Sequence, residues 1–403
     1  MTKDSRIVFG GVDTHRDVHV AAVVDERGRI LDTAPFEANS KGYAALRKWM
    51  NGFGPLIKVG VEGTGSYGAG LAHHLQSSGA EVVEVNRPNR QMRRQRGKSD
   101  TVDAEAAARA ALNGEASVVP KSHDDSVESI RVLRVAYCSA RDTRTRLALQ
   151  IRDLVVTAPA SLRENLPART KERVARCASF RPGDPRDPLE ATRLALKSLS
   201  RRYQELSVDM EELTTILDRL TLEANPALRA AKGVGVDVAA TLLVAAGSNC
   251  GRLRSEAAFA AMCGVSPVQA SSGLTTRHRL NRSGNRQANN ALWRVVMNRM
   301  IYDDETKAYL ARRTAEGKTK RDVTRCLKRH IVREVFWLLK NPAYEEIGPQ
   351  LRVARKAAHV TLQSVSDDLH VWPTKVSRVE RGLDHDNDFI ERYKKWLATR
   401  IAA

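Results

Sequence analysis

No stretch of about 18 consecutive apolar residues occurs in the chain, so nothing in it reads as a membrane-spanning helix. The opening segment MTKDSRIVFG carries no apolar signal core, and the two absences together predict a cytoplasmic protein without a membrane partner. Paired cysteines are missing as well. Cys138, Cys177, Cys250, Cys263 and Cys326 are dispersed without any C-x-x-C, which argues against a zinc ribbon or disulfide frame and predicts reduced thiols. Aromatic residues are scarce at 5%, yet 42% of the chain is hydrophobic and apolar periodicity is widespread, so the scarcity does not signal disorder. Negative charge is the last shortage: 66 Lys and Arg stand against 47 Asp and Glu, a net charge of +19. Such a balance favours a polyanionic partner, nucleic acid first.

The 403 residues are enough for several domains, each burying its own core. Residues 1–122 alternate strands and helices. IVFGGVDTHRDVHVAAVVDERGRILDTAPFEA reads as three strands with DERG at the first hairpin, because β-branched residues cluster between turn formers. GYAALRKWM and GAGLAHHLQSS read as helices, IKVGVEG and EVVEVN as further strands, and the whole as a mixed α/β sheet. Over residues 123–225 the pattern becomes helical. Leu196, Leu199, Tyr203, Leu206, Met210, Leu213, Leu217 and Leu220 form a heptad seam, and Ile130, Leu133, Tyr137, Ala140, Leu147, Ile151 and Leu154 form another, with Arg144 on it. The prolines of SFRPGDPRDP must break the helix between them, which predicts a long helical hairpin or an intermolecular coiled coil.

Residues 226–345 read as compact and helical. In ALRAAKGVGVDVAATLLVAAG a glycine-flanked turn between apolar helices could present backbone N–H groups to a phosphate. SPVQASSGLTTRHRLNRSGNRQANNALW reads as a basic loop opening into a helix near Gln287, and after the breaker NPAYEEIGP a small helical unit fills residues 350–399.

The chemistry concentrates in acids. Asp13 ends the first expected strand in GVDTHRD, and Glu62 ends the next buried strand in GVEGTGSYG, where glycines let the backbone turn close to a bound group. RRQRGKSDTVDAEAAARAAL gathers Arg93, Arg94, Arg96 and Lys98, then sets Asp100 and Asp103 on one face at the front of an alanine-rich helix. Singly these are turn residues or, for Asp100, a helix cap. Jointly they would repel one another at the strand ends of an α/β sheet unless divalent cations neutralised them. Oxygen-only ligands favour Mg2+ or Mn2+, and two such ions clamp the attacking and leaving oxygens of a phosphodiester.

GVDTHRD, VEGTGSYG and KSDTVDAEAAARA resemble the Asp, Glu, Asp, Asp motifs of the DEDD transposases of the insertion-sequence-110 family. GVGVDVAATLLVAAG, FAAMCGVSPVQASSG and RSGNRQANNALW resemble that family's second conserved domain, and the likeness covers about residues 5 to 340. The resemblance implies an α/β plus α protein: a RuvC-like (RNase H fold) domain, coiled-coil helices and a helical transposase domain. It implies Asp13, Glu62, Asp100 and Asp103 as catalytic metal ligands and a nucleophilic serine in a Ser-Gly motif, here Ser272 before Gly273, with Ser271 as the alternative. It further implies donor and target DNA, a structured non-coding guide RNA that bridges them, and a homo-tetramer built from dimers. A serine hydroxyl needs activation, so the two domains, from one chain or two, must meet at one phosphate. Arg277, His278, Arg279, Arg282 and Arg286 are candidates for holding that phosphate and its flanks. Arg87, Arg90, Arg93, Arg94 and Arg96, with Lys98, are candidates for backbone contacts to RNA or DNA.

From Leu351, LRVARKAAHVTLQSVSDDLHVWPTKVSRVERG is similar to the helix-turn-helix of lambda-repressor-like regulators, whose second helix enters the major groove. It departs from that pattern at Leu362, where Gln is common, and at His370, where the turn usually has Gly. The expected function is therefore a nucleoid-associated recombinase that moves its own element. Two alternatives remain open: a metal-dependent junction nuclease using water, and a non-catalytic regulator working through the tail.

Overall fold

The computed structural model describes residues 7–85, 99–122, 125–272, 275, 277–343, 347–380, 384 and 386–402. Five strands form the first sheet: β1 (Val8–Thr14), β2 (Val18–Asp25), β3 (Ile30–Glu37), β4 (Leu56–Glu62) and β5 (Glu81–Val85), in the order β3-β2-β1-β4-β5. β1, β2 and β3 run antiparallel, while β4 lies parallel to β1 and β5 parallel to β4. The first hairpin turns through His15, Arg16 and Asp17, so DERG belongs to the second. The first turn carries no glycine, asparagine or proline to announce it. At the second, Asp25 accepts backbone hydrogen bonds from Arg27 (3.0 Å) and Arg29 (2.9 Å).

Both parallel connections cross over through a helix, α1 (Ser40–Asn51) and α2 (Ala69–Ser77), and Val12, Val23, Leu46, Met50, Val59, Val61, Leu71 and Leu75 close the core beneath them. The opposite face is covered by α3 (Asp100–Leu112). Its alanine content has a steric cause. A Cβ added at Gly11 or Gly60 would overlap the backbone of Ala108 or Ala107, so strand and helix approach as closely as their backbones allow. That closeness brings the front of α3 to the end of β1.

The long helices α4 (Ser126–Thr157) and α7 (Pro188–Ala224) pack as an antiparallel hairpin within the chain. Ile130 shares a core with Leu217, and Ile151 shares one with Leu196. Arg144 does not break the seam: its guanidinium lies over the Tyr203 ring (5.6 Å) and donates to Ser207 Oγ (3.4 Å). Two short helices that the heptad pattern does not announce, α5 (Ala160–Arg163) and α6 (Thr170–Ala178), close the tip.

The hairpin's base packs on a helical unit of α8 (Pro226–Ala230), α9 (Val236–Ala246), α10 (Glu256–Met262), α11 (Arg286–Tyr302), α12 (Asp304–Ala315) and α13 (Lys320–Lys340), around Leu242, Phe259, Leu292, Val295 and Val332. Within the expected basic loop, β6 (Val268–Gln269) and β7 (His278–Arg279) pair as a short antiparallel ribbon. The chain continues through α14 (Gly348–Ala357), α15 (Leu362–Asp368), α16 (Pro373–Glu380) and α17 (Asn387–Ala402), which share a core of Leu351, Val365, Val376, Phe389 and Tyr393. Buried Arg355 forks onto Glu380 (2.6 and 2.9 Å), which also accepts from Tyr393 Oη (2.8 Å). His370, in the turn between α15 and α16, has φ +54°, the backbone conformation that favours glycine. Leu362 packs against the core of these helices, so it is engaged in the fold.

Candidate active site

The site begins with strand register. Val12 pairs with Val61, so the residues that follow, Asp13 and Glu62, end neighbouring parallel strands side by side. Thr14 Oγ1 donates to the Glu62 carbonyl oxygen (2.8 Å) and ties the two strand ends together. The chain leaves β4 through Gly63 at φ +68°, and a Cβ at Gly68 would stand 2.7 Å from the same carbonyl oxygen. A side chain at either position would open this turn.

The front of α3 supplies the second pair. Ser99, and not Asp100, is the cap: its hydroxyl accepts from the Val102 N–H (3.4 Å). Both aspartates are thereby left in the first turn, where the helix dipole favours negative charge. Asp103 is buried, with 3% exposure, while Asp100 faces solvent. Asp13 is also buried, at 7% exposure. Burial pushes its carboxyl above the ordinary carboxylate range; His15 works against that rise, and Asp103 and Asp100 add to it.

His15, in the turn after β1, was not singled out from the sequence. Its Nε2 lies 3.2 Å from Asp13 Oδ2 and 3.3 Å from Asp100 Oδ1. One ligand atom from each of Asp13, His15 and Asp100 falls within 4.8 Å of the others, an arrangement that could hold a metal ion. The signal available beforehand was a potential ligand two residues beyond a strand-end aspartate, in a turn that brings it back over the strand end. Among the described residues no Lys or Arg pairs with Asp13 or Asp100. A buried carboxylate compressed against like charges fits a divalent cation, and the donor set here is carboxylate with one imidazole. Asp13 and Asp100 are brought together directly, Asp103 is close enough to raise Asp13, and Glu62 stands half-buried on the adjoining strand end.

The serine loop is built differently. Ser271 Oγ is engaged inside the ribbon, accepting from the Arg277 N–H (3.2 Å) and Gln269 Nε2 (3.3 Å). Ser272 exchanges only backbone hydrogen bonds with Thr275 (3.2 and 3.1 Å) and is exposed. Its hydroxyl has no hydrogen bond among the described residues, and Gly273 lies outside them. Arg277, His278, Arg279, Arg282 and Arg286 are all exposed, and none has an acidic partner among the described residues. The loop's base is fixed on α10: Asn285 N–H donates to the Met262 carbonyl (2.7 Å), and Asn289 Nδ2 to that of Cys263 (2.8 Å). No hydrogen bond or ion pair among the described residues joins this loop to Asp13 or Asp100. Arg87, Arg90, Arg93, Arg94, Arg96 and Lys98 lie outside the described residues.

A short strap connects the two regions. Val118 pairs with Glu84 at the sheet edge (2.7 Å), Arg254 Nη2 donates to the Ser117 carbonyl (2.6 Å), and Asn249 Nδ2 to that of Pro120 (2.8 Å). Lys121 Nζ donates to the Val244 carbonyl at the end of α9 (2.6 Å), and burial brings its ammonium down to about 8.

Comparison with known proteins places these features in a family. A family model described as Transposase, of the DEDD insertion-sequence-110 type, matches residues 10–158, which include all four acids. A second, described as Transposase IS116/IS110/IS902 family, matches residues 225–311, which include the serine loop. The chain is 31% identical over 123 residues to a Streptomyces coelicolor protein named "Insertion element IS110 uncharacterized 43.6 kDa protein", a match that spans 30% of each chain. No described helix is long and apolar enough to cross a membrane. With both models falling on one family and together covering more than half of the sequence, the chain belongs to the transposases of the insertion-sequence-110 family.

Proposed function

We propose that this chain is the recombinase of an insertion sequence, cutting and rejoining DNA with Ser272 as nucleophile and with Asp13, Glu62, Asp100 and Asp103 holding Mg2+ or Mn2+. The observation that carries this reading is the convergence of mutually repelling acids, Asp13 and Asp103 buried among them, at the end of β1 and the front of α3, in a chain whose exposed Ser272 lies in a loop with exposed arginines that have no acidic partner among the described residues. The sheet order, with three antiparallel strands followed by two parallel ones, supports a RuvC-like (RNase H) fold. In the reaction a bond forms between Ser272 Oγ and a backbone phosphorus while one bridging P–O bond of the DNA breaks. The serine proton passes to a base and the departing deoxyribose oxygen takes one up. Attack by a hydroxyl of the second DNA reverses these steps and restores the serine. A bound divalent ion would supply charge stabilisation at the attacking and leaving oxygens. Arg277, Arg279, Arg282 and Arg286 hold the phosphate and its neighbours.

The net charge of +19 supports a large polyanionic partner, and the family resemblance makes it a structured guide RNA together with donor and target DNA. A homo-tetramer built from dimers would let one subunit's acids meet another's serine, and we read the protein as cytoplasmic and nucleoid-associated. The tail is a lambda-repressor-like helix-turn-helix, a reading supported by two short helices joined at the left-handed His370.

Recombination of a donor and target pair in vitro, with the element's own non-coding RNA and Mg2+, tests the reading. Joined products are expected from the wild-type chain and none from Ser272→Ala or the Asp100→Ala, Asp103→Ala double variant. A Ser272→Ala protein that still joins DNA overturns the nucleophile. Cleavage that survives Ser272→Ala but not Asp103→Asn would favour a nuclease using water.

A further inference from the structure

Among the described residues, His15 is a potential metal ligand of the acid pocket that the DEDD pattern leaves without a role. It occupies the turn between β1 and β2 and is about half exposed, so the core does not require it. A single nitrogen, Nε2, faces both acids, at 3.2 Å from Asp13 Oδ2 and 3.3 Å from Asp100 Oδ1. As a hydrogen-bond donor this arrangement is poor. One proton would be shared between two carboxylates, at distances longer than the roughly 2.7–2.9 Å of a charge-assisted N–H···O bond. As a coordination edge it is good. For metal–ligand bonds of about 2.2 Å, neighbouring corners of an octahedron lie about 3.1 Å apart, and the observed separations are close to that. The third separation, between the two acids, is at most 4.8 Å, close to the about 4.4 Å between opposite corners of the same octahedron. Neither acid is neutralised by a Lys or Arg among the described residues, so a cation at this point would meet two carboxylates and one imidazole.

We propose that His15 Nε2 is a ligand of the divalent cation held by Asp13 and Asp100, which makes that position a mixed nitrogen and oxygen site. The inference rests on the reading of the acids as a metal centre and adds a ligand outside the four carboxylates. Its consequence is metal selectivity. Oxygen-only sets suit Mg2+, whereas imidazole strengthens binding of first-row transition ions, Co2+ more than Mn2+. The site therefore prefers Mn2+ and, more strongly, Co2+ over Mg2+, and that preference weakens when the imidazole is removed.

The test uses the full chain with the metal alone, without DNA or RNA. Mn2+ is titrated into the wild-type protein, His15→Asn and His15→Gln, with affinity read by calorimetry and coordination by pulsed electron paramagnetic resonance. The expected result is an imidazole-nitrogen coupling to Mn2+ in the wild type that both variants lose. Mn2+ affinity should fall at least about tenfold in the variants, the scale on which ligand-shell changes act, and Mg2+ affinity should fall less. Because His15 sits in an exposed turn, both variants are expected to keep the wild-type melting curve. Mn2+ bound without nitrogen coupling, or bound as tightly or more tightly by the variants, overturns the proposal. The tighter case would mean that the imidazole only holds the cation's place. A wild-type chain that binds no Mn2+, or an Asp13→Asn chain that binds it unchanged, would instead remove the metal centre itself and is a separate result.

Discussion

The acid pocket and the serine loop represent two ways of holding reactive groups. The acids sit on the ends of two central strands and the first turn of a helix pressed onto them, with Asp13 and Asp103 buried. The serine sits beyond a two-residue ribbon, exposed, with its backbone paired and its hydroxyl unpartnered among the described residues. A cation site gains from rigidity, because repelling carboxylates must be forced together before the ion arrives. A nucleophile that must enter a duplex backbone gains from protrusion, and in the proposed reaction the DNA would complete the geometry around Ser272. The contrast implies that the pocket should tolerate little and the loop much.

The largest departure should come from Gly11→Val. A side chain there overlaps the Ala108 backbone, so the variant should lose about 3 kcal/mol or more and, with α3 displaced, its metal binding. Calorimetric melting with Mn2+ titration would check both, and retention of metal binding would detach the pocket from this packing. Next is Asp103→Asn, which leaves the volume unchanged and should slow strand cleavage at least about 100-fold without altering the melting curve, in a gel-based cleavage assay. Ser271→Ala should do far less. It removes one set of ribbon hydrogen bonds, about 1 kcal/mol of local order, and should lower recombination only a few-fold. A loss as complete as that of Ser272→Ala would exchange the roles of the two serines.

The last prediction concerns stability alone and lies in the strap between the regions. The Lys121 ammonium is lowered from its ordinary 10.5 to about 8 by burial, so the unfolded chain binds more protons than the folded one between those values. Stability should therefore rise as the pH climbs through about 8 towards 10.5, and this rise should vanish in Lys121→Met, as followed by denaturant midpoints across that range. A midpoint that falls over the window in the wild type but not in the variant would reverse the assignment.

Much of this was legible in the sequence, for physical reasons that differ between the regions. β1 to β5 are bounded by turn residues and rich in β-branched side chains, and α4 and α7 carry long heptad seams. The strand-end positions of Asp13 and Glu62 and the shared face of Asp100 and Asp103 follow from those periodicities. The first hairpin turn was missed because Thr14, His15, Arg16 and Asp17 carry no glycine signal, and His15 was missed with it. Asp100 as a cap was displaced by Ser99, one residue earlier, whose hydroxyl accepts from the Val102 N–H. The ribbon β6–β7 is only two residues long on each side, below the length at which alternation can be read. Burial of Asp13 depends on glycine-to-alanine contacts between β1 and α3, which no local pattern contains.

The most direct measurement is the chemical identity of the covalent protein–DNA link that the proposed reaction requires. Reaction of the wild-type chain on DNA with a nicked or suicide target, followed by digestion and mass spectrometry, should yield one nucleotide-modified peptide, with the phosphodiester on Ser272. Modification of Ser271 or of another residue, or efficient joining with no protein–DNA intermediate at all, would contradict the account.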